Sequence, residues 1–166
     1  MPMEWWKVQR RAQMSQFFGN HQNRLDAKRR VSVPAAFRAV LKSDVETIQL
    51  ILRPSHAKDW RCIEAWTKPA YAVWESKLEQ YEHFSMEREA LATVIYTGAI
   101  TVETDKEGRI MIPEELAEFA NLKESGPVSF MGRGPIFHIW EPQAGAAFIA
   151  EMRAQAAALT PMAGRA

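Results

Sequence analysis

Residues 24–42 carry Arg24, Lys28, Arg29, Arg30, Arg38 and Lys42 against one acid, Asp26, a local charge of +5 in a chain whose formal net charge is +1. Guanidinium forks match phosphate oxygens and the edges of bases, and ammonium groups add point charges along a sugar–phosphate chain. The chemistry on offer is recognition of a polyanion by a cationic edge. A solvated charged loop has the same composition, so the choice turns on how the rest of the chain holds this stretch. A second stretch, residues 103–109, sets Lys106 and Arg109 against Glu103, Asp105 and Glu107, a local charge of −1.

The two stretches are one pattern written twice. Asp26-Ala27-Lys28-Arg29-Arg30-Val31-Ser32-Val33-Pro34 and Asp105-Lys106-Glu107-Gly108-Arg109-Ile110-Met111-Ile112-Pro113 share an Asp, an Arg four places on, a β-branched residue, any residue, a β-branched residue and Pro. Five of nine positions agree in type. Each predicts a turn feeding a short alternating strand, with Val31/Val33 or Ile110/Ile112 on one face. The proline ends the strand and fits a helix start, where its missing N–H costs nothing. Helices are predicted over residues 34–41 and 113–119. Glu114 and Glu115 meet the positive end of the second helix, whereas Ala35 and Ala36 leave that of the first open to an outside anion.

The duplication runs further. Ile48, Leu50 and Leu52 alternate as a strand, a loop follows at Arg53-Pro54-Ser55-His56, and Cys62-Ile63-Glu64-Ala65-Trp66 is the next strand. The second copy repeats the pair at Val128 and Phe130, the turn Gly132-Arg133-Gly134-Pro135, and Ile136-Phe137-His138-Ile139-Trp140. Trp66 and Trp140 occupy matching ends, at an offset of 74 against 79 in the frames, which is a five-residue difference in the loop. Between the copies lies a helical insert. Thr67 caps a helix carrying Tyr71, Trp74, Leu78 and Tyr81; Ser85 caps a second carrying Ala90, Leu91, Val94 and Ile95 and ended by Gly98. Ile100 and Val102 form the strand into the second frame. A last helix starts near Pro142, carries Phe148, Met152 and Leu159, and ends by Pro161.

Enzyme chemistry finds no matching residues. Asp26 and Asp105 could be halves of a carboxylate pair, but no second acid recurs at general-acid spacing. They read as turn organisers that accept backbone N–H groups, with an arginine of the other copy as a candidate partner. His21, His56, His83 and His138 stand outside metal-ligand spacings, so no metal and no cofactor are expected. Cys62 sits in a strand without a nucleophile signature. Gly132-x-Gly134 stops at Pro135 and is no phosphate cradle. Trp60, Trp66, Trp74 and Trp140 read as core and interface anchors rather than stacking platforms.

The 166 residues, 47% hydrophobic and 25% charged, suit one compact domain or two small fused units. One cysteine rules out an internal disulfide and fits a reducing cytosol. No apolar run approaches the roughly 18 residues of a membrane span, and no secretory signal opens the chain. Residues 1–13 read as a disordered extension, with Met14 as the functional start. A Trp-and-basic membrane anchor there lacks a sustained amphipathic period.

The paired frames, Asp26-x-x-x-Arg30 and Asp105-x-x-x-Arg109, each running into strand, proline and helix around a helical insert, resemble the MraZ family of bacterial transcriptional regulators over residues 14–155. The resemblance implies an α+β fold of two tandem AbrB-like (SpoVT-AbrB) half-domains, residues 14–66 and 99–142, interlocked as a swapped-hairpin β-barrel. The insert then spans 67–98, the C-terminal helix 143–160 and a fraying tail 161–166. It further implies a ring-shaped homo-oligomer in the cytoplasm, associated with the nucleoid. That ring would bind short direct repeats in double-stranded DNA upstream of the division and cell-wall gene cluster, including its own gene, and usually repress it. DNA contact falls to Arg24, Lys28, Arg29, Arg30 and Arg38. Asp26, Pro34, Asp105, Gly108, Arg109 and Pro113 form the structural motif, Arg109 being a loop or interface residue. Where the family commonly has Gly, this chain has Arg29, at about 1 kcal/mol if φ is positive there. The alternative is an AbrB-like antitoxin or protein-interaction module, against which two copies and a short tail both count.

Overall fold

The computed structural model describes residues 16–41, 48–57 and 59–163. The expected leader 1–13 and start at Met14, the turn at Lys42-Ser43-Asp44 and the last three residues of the tail lie outside the described residues.

Strands β2 (Arg30–Ser32) and β6 (Arg109–Met111) have three residues each, too few to stand alone, and they pair antiparallel with Val31 opposite Ile110. The alternation sends Val31, Val33, Ile110 and Ile112 inward, each at most 1% exposed. The other six strands make one antiparallel sheet. They are β1 (Asn20–Arg24), β3 (Gln49–Pro54), β4 (Ile63–Trp66), β5 (Ile100–Glu103), β7 (Pro127–Gly132) and β8 (Ile136–Trp140), in the order β1-β7-β8-β4-β3-β5. That order has a two-fold pattern. The leading strand of each copy, β1 or β5, pairs with the third strand of the other copy, β7 or β3, while β4 pairs with β8 at the centre. The class is α+β. Among the described residues the ladders form two sheets and no closed barrel.

The core between the sheets takes residues from both copies. Helix α1 (Ala35–Leu41) drives Phe37 into it, edge-on to Phe17 at 5.2 Å and to Phe130 at 6.4 Å, and tilted against Phe137 at 5.0 Å. Helix α4 (Glu114–Phe119) contributes Leu116 and Ala117. Both helices start from proline carbonyls. Pro34 accepts from Phe37 and Arg38, and Pro113 from Leu116 and Ala117.

Helices cover the outer face of the large sheet. Thr67 caps α2 (Lys68–Glu75), which tightens into a 3-10 turn, Ser76–Gln80, and Ser85 caps α3 (Met86–Thr97). Tyr71, Leu78 and Ile95 pack there on Ile51, Trp66 and Trp74. Of the expected α3 stripe, Leu91 and Ile95 face inward while Ala90 and Val94 are exposed, because the sheet reaches only one narrow side of that helix. Gly98 ends α3 with φ of −93°, so it is not a left-handed cap. A Cβ there would stand 3.2 Å from Pro54 Cδ, so close approach to β3 is what a glycine permits. Over the other half of the same face α5 (Pro142–Ala163) lays Phe148 on Trp140 at 4.8 Å. It continues past Pro161, and Leu159 is exposed rather than packed. Among the described residues no helix is long and apolar enough to cross a membrane.

Replacing Phe37 by Ala should remove about 3–5 kcal/mol of stability, the usual cost of deleting a buried phenyl ring. Urea denaturation measures it. A loss below 1 kcal/mol would mean that the two copies do not share the core described.

Candidate nucleic-acid interface

Each frame folds into the same clasp. Asp26 Oδ1 accepts the N–H groups of Lys28 at 2.9 Å and Arg30 at 2.8 Å, and Oδ2 accepts Arg30 Nε at 2.7 Å. Asp105 does the same for Glu107 and Arg109, at 2.9, 2.9 and 2.8 Å. Each carboxylate closes its own turn and holds the arginine of its own copy, not that of the other. The hydrogen bond from the Arg30 N–H, then those from the Arg30 side chain and the Lys28 N–H, hold the Asp26 carboxyl below its ordinary value of 3.8, and Asp105 is lowered in the same way by Arg109 and Glu107.

The fourth residue of each turn is left-handed, with φ of +59° at Arg29 and +75° at Gly108. Arg29 offsets part of that strain through a cross-copy contact. Its carbonyl accepts from Ile112 N–H at 2.8 Å, as Gly108 does from Val33 at 3.0 Å, and its own Nε donates to the Ile112 carbonyl at 3.1 Å. Gly108 has a separate reason to lack a side chain. A Cβ there would lie 2.5 Å from Arg38 Cδ, because Arg38 crosses over the second turn and donates to the Glu107 carbonyl at 3.4 Å.

The exchange of strands therefore redistributes the charge that the sequence segregates. Arg38 lies against the acidic turn of the second copy. Arg29 shares a groove with Glu114, Glu118 and Glu124, and with Lys123. Lys28 is exposed, Arg29 and Arg30 are half-buried, and Arg24 is exposed with Nη1 on the Ser125 carbonyl at 2.7 Å. Lys42 lies outside the described residues. Helix α1 has seven residues, about two turns, so its unmatched start adds little beside whole side-chain charges.

One face was not assembled by sequence reasoning. With Val31 and Ile110 inward, the outward face of the β2–β6 ribbon presents Arg30 opposite Met111 and Ser32 opposite Arg109. The signal was present in the alternation of both frames, but it needs the knowledge that the two strands pair. The two arginines differ in freedom. Arg109 also meets Glu107 at 2.5 Å, whereas the terminal amino groups of Arg30 carry no hydrogen bond among the described residues.

The remaining candidates stay apart. Burial raises the Cys62 thiol to about 12, which makes it a poor nucleophile, and lowers His138 to about 4, so that imidazole is neutral. No cluster of metal-ligating side chains occurs among the described residues.

Comparison with known proteins gives consistent matches. Residues 95–164 match a family profile described as "MraZ protein, putative antitoxin-like". A Gluconobacter oxydans protein named Transcriptional regulator MraZ is 50% identical over 135 residues, 80% of each chain. One of the same name from Gluconacetobacter diazotrophicus is 45% identical over 155 residues, 92% of this chain and 96% of its own. Another, from Rickettsia canadensis, is 37% identical over 78% of this chain and 84% of its own.

The lowered Asp26 value fixes a pH dependence. A carboxyl whose folded pKa lies below its unfolded one contributes stability that is complete above the unfolded value and lost as pH falls through the folded one. Asp26→Asn should lower the urea midpoint at pH 7. The gap to the parent protein should hold down to about pH 5 and close below about pH 4. A gap that does not narrow as pH falls below 3.8 would show that the ionised form does not hold the turn.

Proposed function

The chain belongs to the MraZ family, whose curated members are named transcriptional regulators and not enzymes, and we propose that it regulates transcription by binding duplex DNA with its β2–β6 ribbon and the turns beside it. The observation that carries this reading is Arg30. Its Nε is fixed by Asp26, so the guanidinium is oriented before any ligand arrives, and on the outward face of the ribbon its terminal amino groups carry no hydrogen bond among the described residues. A two-stranded ribbon fits the major groove of B-DNA, and an Arg fork there reads guanine O6 and N7. Lys28 and Arg24, both exposed, supply phosphate contacts, with Arg38 from the far end of the ribbon. Arg29 adds its terminal amino groups, its Nε being committed to Ile112. Arg109 contributes least, because Asp105 and Glu107 already neutralise it.

Each chain offers a few cations, so binding gains from several chains on successive short direct repeats, where each later contact is intramolecular. The half-domains, 14–66 and 99–142, interlock by exchanging their hairpin strands within one protomer, and protomers join in a ring. Exposed Val73, Phe84, Met86 and Tyr96 on the insert, residues 67–98, support self-association of this kind. The repeats lie upstream of the division and cell-wall genes and of the protein's own gene, which it represses as a cytoplasmic, nucleoid-associated protein. The same exposed insert side chains favour, as a second reading, an antitoxin-like module that holds a protein partner. Stable co-purification of a small toxin distinguishes it.

A mobility-shift assay on DNA from upstream of its own gene tests the first reading. Arg30→Ala should weaken binding roughly 5- to 150-fold with the fold retained, and Arg109→Ala should do less. Affinity should fall steeply with salt and on reduction to a single repeat. Unchanged affinity in Arg30→Ala would place the contact elsewhere.

A further inference from the structure

The ribbon is close to symmetric: its buried positions exchange only Val for Ile, and its change of chemistry falls on the face that meets solvent. Arg30 and Arg109 are equivalent, each held through Nε by the aspartate four residues earlier. Between them the equivalent positions differ in chemistry: Ser32 in the first copy and Met111 in the second, both exposed, Met111 at 51%. Met111 joins none of the apolar clusters of the described residues. A perfectly two-fold ribbon would look the same after half a turn and could not choose a direction along a duplex. This one can.

We propose that Met111 is a specificity-determining residue: paired across the strands with Arg30, it contacts a thymine methyl group beside the base that Arg30 reads, and so fixes the direction in which each chain lies on DNA. The proposal rests on the ribbon being the DNA-reading face. Only thymine shows a methyl group in the major groove, and apolar side chains recognise it by contact. A serine hydroxyl both donates and accepts, and so accommodates any base edge. The Arg30–Met111 half of the ribbon is then selective, with an open guanidinium fork and an apolar tip. The Ser32–Arg109 half is permissive, with its guanidinium taken up by Asp105 and Glu107. Direct repeats require such a polarity, because each site must be entered in the same direction as the one before it.

The probe is the duplex footprinted upstream of the protein's own gene, made with thymine and then with uracil, which lacks only the methyl group, first throughout and then one position at a time. The full-length protein should lose about fourfold at one uracil per repeat, the value of one buried methyl group. Met111→Ser should bind thymine and uracil duplexes alike, while Met111→Leu, which keeps an apolar tip, should retain the difference. As Met111 is exposed, a thermal melt should show all three proteins equally folded. If the parent protein ignored the methyl groups while Arg30→Ala still abolished binding, the role given to Met111 would be wrong and the DNA-reading face would stand. If the parent protein bound neither duplex, both would fall.

Discussion

Strand β2 exists because β6 does. Three residues cannot form a stable strand alone, and the frame that encodes each ends in a proline that forbids extension. The chain solves this by writing the frame twice and pairing the two antiparallel, with Val31 on Ile110. The consequences spread outward from that ladder. The strands that lead into it, β1 and β5, are carried across to the other copy's sheet, so the copies interlock. Phe37 of the first copy then packs on Phe130 and Phe137 of the second, and neither half owns a complete core.

The same pairing decides what the cationic stretch can do. In sequence the basic and acidic turns are far apart, and charge alone would give the first copy the whole binding edge. Folded, Arg38 covers the acidic turn, and Arg29 lines a groove with three glutamates and Lys123 of the second copy. The local excess of the sequence is thus partly offset by acids of the second copy. What survives is orientation: a carboxylate grips each arginine at Nε, which costs the guanidinium one donor and removes its rotational freedom. Exposed clasps of this kind contribute little to stability because solvent screens them. Their value lies in presenting a fork whose geometry is set in advance.

The frames were legible because they combine local signals that need no tertiary information: Asp for the turn, β-branched alternation for the strand, proline for the stop. Thr67 and Ser85 at the helix starts were legible for the same reason. What was not legible depended on partners distant in sequence. Asp26 and Asp105 gave no sign that each would hold its own arginine, since reach across the copies is equally possible on spacing. The outward set Arg30, Ser32, Arg109 and Met111 exists only once the register of β2 on β6 is known. Ala90 and Val94 looked like core by period, yet the sheet had no surface left to cover them.

Duplication inside one chain has a further physical result, visible on the opposite face of the sheet. The first copy places Arg53 opposite Glu64, 3.5 Å apart and buried, where the second places Met131 opposite His138. A buried ion pair is costly unless its surroundings compensate it. Here Trp74 of the insert stacks over Arg53 at 4.3 Å, and Trp66 donates to Glu64 at 3.1 Å. The insert therefore covers the pair, while the apolar Met131 and Trp140 take α5. Two separate chains of identical sequence could not make that distinction, because both halves would carry the same residues. A fused pair can let each copy change alone, and it has done so on both faces: underneath, to sort which helices cover which half, and on the ribbon, to tell one end from the other.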